Sequence, residues 1–264
     1  MKVITLLTDF GTRDGYPGIL HGVILNISPG SRIVDITHDI NPQDVMSGAL
    51  ALERAAPYFP DGSIHLAVVD PGVGTSRRPL AARLGSHFFV GPDNGLFTLL
   101  LQKAEAAGEA VEVVHLNKTG FWLLSVSWVF HGRDIFAPCA AHLAEGIPLK
   151  DLGDVISDPV RLDFPSPSQV VGGLRGQVIH IDHFGNMATN ILASQLAEFK
   201  EVDVRFGSRT VHGSVNAYGD GHPGDLVALV DSSGRLSLGV VNGSAQNYLD
   251  GKINDPVDLL YPGR

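Results

Sequence analysis

The chain has 264 residues, 44% of them hydrophobic, which allows one large domain or two ordinary ones with a sizeable core. Its 19 basic and 28 acidic residues give a formal charge of −9, which argues against nucleic acid and anionic membranes as partners, because both need a basic face. The single cysteine, Cys139, excludes an internal disulfide framework and a cysteine zinc site, and its apolar surroundings point to a buried structural thiol.

The opening "MKVITLLTDF" is too short in its apolar part to span a membrane, is interrupted by Asp9 and lacks a signal-peptide cleavage pattern. It reads as a first core strand, and the protein as cytoplasmic. A loop, "DFGTRDGY", leads to a helix opened by Pro17 and stopped at Pro29 and Gly30. "RIVDIT" is a second strand, and "NPQDVMSGALALERAAPYF" has apolar positions at helical spacing. "SIHLAVV" is a third strand, "HFFVG" a further one, and "GLFTLLLQKAEAA" another helix. This alternation predicts an N-terminal α/β domain with a largely parallel central sheet, over residues 1–165.

The pattern changes at "RLDFPSPSQVV", which reads as a linker. Short β-type runs separated by glycine turns follow: "GQVIHID", "VDVRFG", "RTVHGSV", "DLVALVD", "LSLGVV" and "DPVDLLY". "ASQLAEF" is the best helical signal among them. A small C-terminal β-barrel domain is expected over residues 172–264.

Ligands of open α/β sheets bind beyond the carboxyl ends of the strands, and three strands here end in acids or charged loops: Asp9 and Asp14, then His38 and Asp39, then Asp70. A single such aspartate is ordinarily a turn or capping residue; three in succession make a site more plausible. The loop "VVDPGVGTSRR" lacks the lysine and the glycine spacing of phosphate cradles. Turn geometry accounts for Pro71, Gly72 and Gly74, but leaves Asp70, Arg77 and Arg78 to be explained either by a surface Asp–Arg pair or by chemistry. In "FHGRDIFAP", His131 is placed at a strand end before a helix. Such a histidine is most often structural, but beside Asp70 and an arginine it could orient and deprotonate water. "HIDHFGNMATN" offers Asp182, Phe184, Asn186 and Asn190. Neighbouring strand residues point to opposite faces, so this segment suits a hydrogen-bonded ligand with a flat ring better than a metal, and no metal is assigned to the chain.

Together, "LLTDFGTRDGY", "DITHDINPQDV", "VVDPGVGTSRR", "VGPDNGLFT", "FHGRDIFAP", "IDHFGNMATN" and "VDSSGRLSL…NGSA" resemble the S-adenosyl-L-methionine (SAM) hydroxide adenosyltransferase family, relatives of the fluorinases and chlorinases. The resemblance covers nearly the whole chain. It implies an N-terminal α/β domain and a C-terminal β-barrel, and a homotrimer with the ligand between neighbouring subunits. SAM is then the substrate, and no cofactor is implied. The family's water-holding set matches Asp70, Arg77 and His131. Asp9 matches the carboxylate on the ribose diol, and Asp14 and Asp182 match acids near the methionine end. Ser232 and Ser233 match residues near the methionine carboxylate, Asn186 the adenine-reading amide, and Phe184 and Tyr218 the aromatics that sandwich adenine. Ser244 and Ala245 lie in the segment whose backbone meets adenine. Val241 and Ser233 depart from the pattern, the first where relatives carry asparagine, the second where the fluorinase carries arginine. The long insertion of the fluorinase after the third strand is missing.

The implied reaction is hydrolysis of SAM to adenosine and L-methionine by attack of water or hydroxide at ribose C5′. Three alternatives stand beside it: a halide-using adenosyltransferase, a non-catalytic SAM- or adenosine-binding protein, and a metal-dependent hydrolase built on Asp9, His38, Asp39 and Asp70.

Overall fold

The apolar, β-branched runs of the N-terminal half become the strands of a seven-stranded sheet. They are β1 (Val3–Thr8), β2 (Arg32–Thr37), β3 (Ile64–Val68), β4 (Pro79–Leu84), β5 (His87–Pro92), β6 (Val111–His115) and β7 (Asp154–Val155). The helices between them are α1 (Tyr16–Ile27), α2 (Val45–Ala55), α3 (Thr98–Ala106) and α4 (Ala137–Ala144). This is a computed structural model; it describes residues 2–196 and 202–261. The chain divides into two units, Met1–Leu162 and Asp163–Arg264.

In the first unit the strand order is β2-β1-β3-β5-β4-β6-β7. The β2-β1-β3-β5 half is parallel, as a strand–helix alternation demands, and β4, β6 and β7 extend it antiparallel. Every residue of β3 is buried, which is why its sequence, His65 apart, is apolar rather than alternating. Leu20 and Ile24 of α1 and the small residues of α4 pack onto Ile4, Leu6, Leu66 and Val68. Each fully buried Leu, Ile or Val contributes about 1.5–3 kcal/mol.

The helix expected over "NPQDVMSGALALERAAPYF" starts later, at Val45, and ends in a 3-10 turn over Ala56–Tyr58. Gln43 has a left-handed φ of 68°, which a helix cannot continue through, and the Asp44 side chain caps the new start by accepting from the Ser47 amide at 2.9 Å. The strand expected to end at His131 is also absent. The backbone of residues 122–130 is irregular, and His131 flanks a π-helical turn, Gly132–Phe136, that runs into α4. The cause is Asp134. Its wholly buried carboxylate accepts from the Ser127 amide at 2.7 Å and from Arg133, and its carbonyl accepts from the Leu123 amide at 2.9 Å. These bonds satisfy the segment in place of a strand ladder.

The second unit is an eight-stranded antiparallel sheet. It comprises β8 (Ser168–Val170), β9 (Gly173–Ile181), β10 (Met187–Leu192), β11 (Asp203–Phe206), β12 (Arg209–His212), β13 (Leu226–Val230), β14 (Arg235–Val240) and β15 (Pro256–Leu260), with short helices α5 (Ala193–Leu196) and α6 (Ala245–Leu249). The order is β12-β11-β15-β9-β10-β14-β13, with β8 on β9. Just past β12, Val215 bridges to Leu229 of β13, and its amide donates to the Ala228 carbonyl at 2.9 Å, so the sheet curls nearly into a barrel. Leu174, Val178, Met187, Ile191, Val204, Leu236, Leu238, Val257 and Leu259 fill it. The stretch read as a linker is partly structured: Ser168–Val170 pairs with β9, and Asn190 donates to the Pro165 carbonyl at 2.8 Å. The helix expected in "ASQLAEF" is present over Ala193–Leu196; its remainder lies outside the described residues.

Candidate active site

Central strand β3 delivers Asp70 just beyond its carboxyl end, and the loop that follows is folded by its own turns. The Val73 amide donates to the Asp70 carbonyl at 3.3 Å, and the Thr75 amide and hydroxyl to the Gly72 carbonyl at 3.2 and 2.7 Å. Gly74 has a φ of 77°, and a Cβ there would lie 2.4 Å from the Trp128 carbonyl oxygen. Glycine is therefore required twice over, for the backbone conformation and for the approach of the 122–130 segment.

The loop returns Arg77 onto Asp70. Arg77 Nε donates to Asp70 Oδ1 at 3.0 Å, and Nη2 donates to Oδ2. This is a bidentate pair, and it is not on the surface: the side chains are 7% and 5% exposed. The guanidinium also lies 5.3 Å from the ring centre of Phe136. Its Nη1 is buried and has no hydrogen-bond partner among the described residues.

His131 joins through Nδ1, which lies 3.2 Å from Arg77 Nη2. Arginine only donates, so Nδ1 is the acceptor, and the proton of the neutral ring sits on Nε2. Burial and the Arg77 charge both hold the imidazole below its ordinary pKa, against the opposing pull of Asp70 and Asp134, so it is neutral at pH 7. Burial pushes the Asp70 carboxyl above its ordinary value and outweighs the lowering influence of Arg77, which makes Asp70 a stronger base than a free carboxylate.

Asp70 and His131 line a cavity of about 410 Å³ together with Asp9, Phe10, Tyr16 and Gln43. Asp9 is held by the Gln43 amide, which donates to Oδ2 at 2.8 Å and leaves lone pairs for other donors. Phe10, Tyr16 and Phe130 stack edge-on at 5.3–6.1 Å and wall one side. Sequence reasoning missed this aromatic wall and Gln43. Phe10 and Tyr16 stood in the quoted "TDFGTRDGY", but nothing in a loop sequence tells an aromatic wall from a packing residue. Asp14 is exposed and does not line the cavity. Arg78 is a structural tie: it donates to Asp93 Oδ2 at 2.8 Å and to the side chain and carbonyl of Asp158 at 2.9 and 2.7 Å. Asp9, His38, Asp39 and Asp70 do not form a ligand cluster among the described residues.

In the second unit, Asp182 organises a tight loop. It accepts from the amides of Phe184 and Asn186 and from Asn186 Nδ2, at 2.8–2.9 Å. Asn186 is thereby oriented, and Phe184 is left 73% exposed. A Cβ on Gly239 would lie 2.5 Å from the Tyr218 ring and 3.0 Å from Asn186 Oδ1, so these two side chains meet over that glycine. Ser244 caps α6 by accepting from the Asn247 amide at 3.1 Å, Ala245 is buried, and the Gln246 amide donates to the Gly185 carbonyl at 2.9 Å. Phe184, Asn186, Tyr218, Ser244 and Ala245 thus occupy one neighbourhood. Ser233 is committed to the β13–β14 turn, donating to Asp231 Oδ1 at 2.6 Å, while Ser232 is exposed. Val241 packs with Val227 and Leu229.

Family models for the SAM hydroxide adenosyltransferase N-terminal and C-terminal domains match residues 4–153 and 176–258. The chain belongs to the SAM hydroxide adenosyltransferase family. An (R)-S-adenosyl-L-methionine hydrolase from Salinispora tropica is 41% identical over 251 residues, covering 93% of each chain. Another from Thermus thermophilus is 40% identical, covering 98% of this chain and all of its own length. A fluorinase from an Actinoplanes species is 32% identical over 74% of this chain and 73% of its own. Among solved structures, an uncharacterized conserved protein from Thermotoga maritima superposes with a TM-score of 0.89 at 35% identity, covering 97% of this chain and 99% of its own.

Proposed function

We propose that this chain hydrolyses SAM at ribose C5′, releasing adenosine and L-methionine. The observation that carries the proposal is the buried Asp70–Arg77 pair with the half-buried His131 against it, in a chain of the SAM hydroxide adenosyltransferase family. The sulfonium leaves as neutral methionine, so no acid need assist it. The difficulty lies in the nucleophile, since water has a pKa of about 15.7. His131 Nε2–H donates to the water oxygen and aims a lone pair at C5′. Asp70 takes the proton through a lone pair not used by Arg77. The C5′–O bond forms as the C5′–S bond breaks, and the electron pair goes to sulfur. Arg77 fixes Asp70, keeps His131 in the donating tautomer and stabilises developing hydroxide character.

In this proposal Asp9 accepts from the ribose hydroxyls, Phe184 and Tyr218 stack on adenine, and Asn186 reads its edge. Ser244 and Ala245 supply the backbone around adenine. Asp14, Asp182, Ser232 and Ser233 serve the methionine end. The assembly is a homotrimer with the ligand between neighbouring subunits, a state that rests on the family resemblance and is tested by light scattering. The protein acts in the cytoplasm, in keeping with its single, buried cysteine; among the described residues no helix is long and apolar enough to cross a membrane.

The test is incubation of the purified protein with SAM in ¹⁸O-water. Equal amounts of adenosine and methionine are expected, with the label in the adenosine 5′-hydroxyl. Bound but intact SAM would leave a binding protein, and 5′-chloro-5′-deoxyadenosine on adding chloride would make it a halide-using enzyme.

A further inference from the structure

A second cluster of ligand-type side chains lies outside the residues that line the cleft. His21 Nε2 on α1 is 2.8 Å from Asp35 Oδ1 on β2, and His38 Nε2, just past β2, is 3.2 Å from the same oxygen. One ligand atom from each lies within 4.8 Å of the others.

The strand pattern alone forbids this meeting. Residues three apart on a strand face opposite sides. Between β1 and β2, however, Leu6 pairs with Asp35 and Leu7 with Thr37, so Ile36 is an extra, bulged residue. The bulge shifts the alternation by one and brings His38 round to the side of Asp35. His21 is on the exposed part of α1 and reaches the same point from the helix.

His38 is the informative member. Its side chain is only 4% exposed, and its Nε2 has no hydrogen-bond partner among the described residues: Asp35 is near enough but out of line. The other ring nitrogen, Nδ1, lies 2.8 Å from the Thr8 hydroxyl, which also accepts from the Phe10 amide at 3.2 Å. When Nδ1–H donates to Thr8, the lone pair of Nε2 faces Asp35 and His21. That is how a metal-binding histidine is held by its second nitrogen.

We infer that His21, Asp35 and His38 form a binding site for a divalent transition-metal cation, separate from the reaction centre. Two imidazoles and one carboxylate suit zinc, cobalt or nickel rather than magnesium or calcium. Tetrahedral zinc at its usual bond lengths needs ligand atoms about 3.4 Å apart. The half-exposed Asp35 side chain can give the few tenths of an ångström that this asks, and water completes the coordination from the open side. The ion would pin α1 to edge strand β2 directly behind Thr8, whose neighbour Asp9 lines the cleft, and the His38 backbone carbonyl already accepts from the Gly11 amide at 2.8 Å. Its role is to hold that loop, not to activate water.

The test is calorimetric titration of the untagged, chelator-stripped chain with ZnCl₂, alongside thermal unfolding with and without it. Saturable binding of one ion per chain is expected, with a rise in Tm. His21→Gln and Asp35→Asn, both at partly exposed positions, should each weaken binding at least about tenfold and abolish the rise. His212→Gln, which removes a different His–Asp pair, should leave both unchanged. Absence of saturable binding, or binding undiminished in both ligand variants, or equal loss in His212→Gln, would overturn the inference. SAM kinetics measured with and without EDTA separate this site from the reaction: a raised KM with turnover retained supports a holding role, and abolished turnover would refute it.

Discussion

The two units solve different problems with the same polar chemistry. In the first, Asp70 and Arg77 of one loop meet His131 from 54 residues beyond Arg77 in a contact at the cavity wall, where burial moves the pKa of the acid up and of the imidazole down. In the second, Asp182 and Asp231 are held by nearby amides and hydroxyls within their own turns. These bonds hold the Asp231 carboxyl below its ordinary range, against the opposing effect of burial. Charge kept out of water and shared among distant residues is poised to react; charge satisfied locally sets shape. The first unit should therefore govern turnover and the second affinity.

The largest effect tests that division directly. Asp70→Asn keeps the size of the side chain but removes the base, and turnover should fall by about 10²–10⁴ with little change in KM. Equal loss in kcat and affinity would reassign Asp70 to substrate holding. The pH profile of the wild type sharpens the point. Because His131 is held below its ordinary value of 6.5, its neutral form persists, so turnover should hold through pH 6.5 and fall only in more acid solution.

The units should also differ in acid stability. His65 is buried against Thr5, His87 and Phe89, and its pKa is lowered to about 3. The unfolded chain binds that proton more readily, so stability is intact above pH 6.5 and declines as pH falls from 6.5 toward 3, by up to about 1.4 kcal/mol per pH unit. Asp231 is shifted in the same direction but from a lower starting value: its stabilisation is present above 3.8 and is lost only as pH falls below it. Both tryptophans, Trp122 and Trp128, lie in the first unit, so their fluorescence in denaturant titrations at pH 7 and pH 5 reports that unit. A midpoint that does not move would remove His65 from the account.

Affinity is the next probe. Phe184→Ala should cost about 1–3 kcal/mol of SAM binding if the exposed ring stacks on adenine, read as a raised KM with kcat nearly unchanged. Gly239→Ala should act in the same direction by displacing the Tyr218 ring, since its Cβ would lie 2.5 Å away. The smallest effect is at Ser233→Ala, which loses one hydrogen bond to Asp231, about 1 kcal/mol of stability in a urea melt. A larger loss of SAM affinity than of stability would show that Ser233 serves the ligand as well as the turn.

Much of the fold was legible because its signals are local. The apolar run of β3 and the turn residues after it located Asp70, and the β-type runs between glycines located most strands of the second unit. The departures share one cause. "FWLLSVSWVF" reads as an apolar strand, yet buried Asp134 captures its backbone and leaves it irregular. Residues 168–170 read as linker, yet β9 offers an edge for them to pair with. In each case a nearby segment, the following strand or a buried side chain, supplied hydrogen bonds that the apolar pattern does not announce.

The sequence by itself determined which elements form, where strands end in acids, and, through ordered motifs, the family. Only the tertiary structure decided that Arg77 lies buried on Asp70 rather than on the surface, that Arg78 is spent on Asp93 and Asp158, and which nitrogen of His131 carries the proton. It alone also placed His38 beside Asp35, by a bulge of one residue that reverses the strand's alternation. The physical reason is common to all four. Burial, tautomer and side-chain facing depend on which distant groups share a volume, and no local periodicity encodes that.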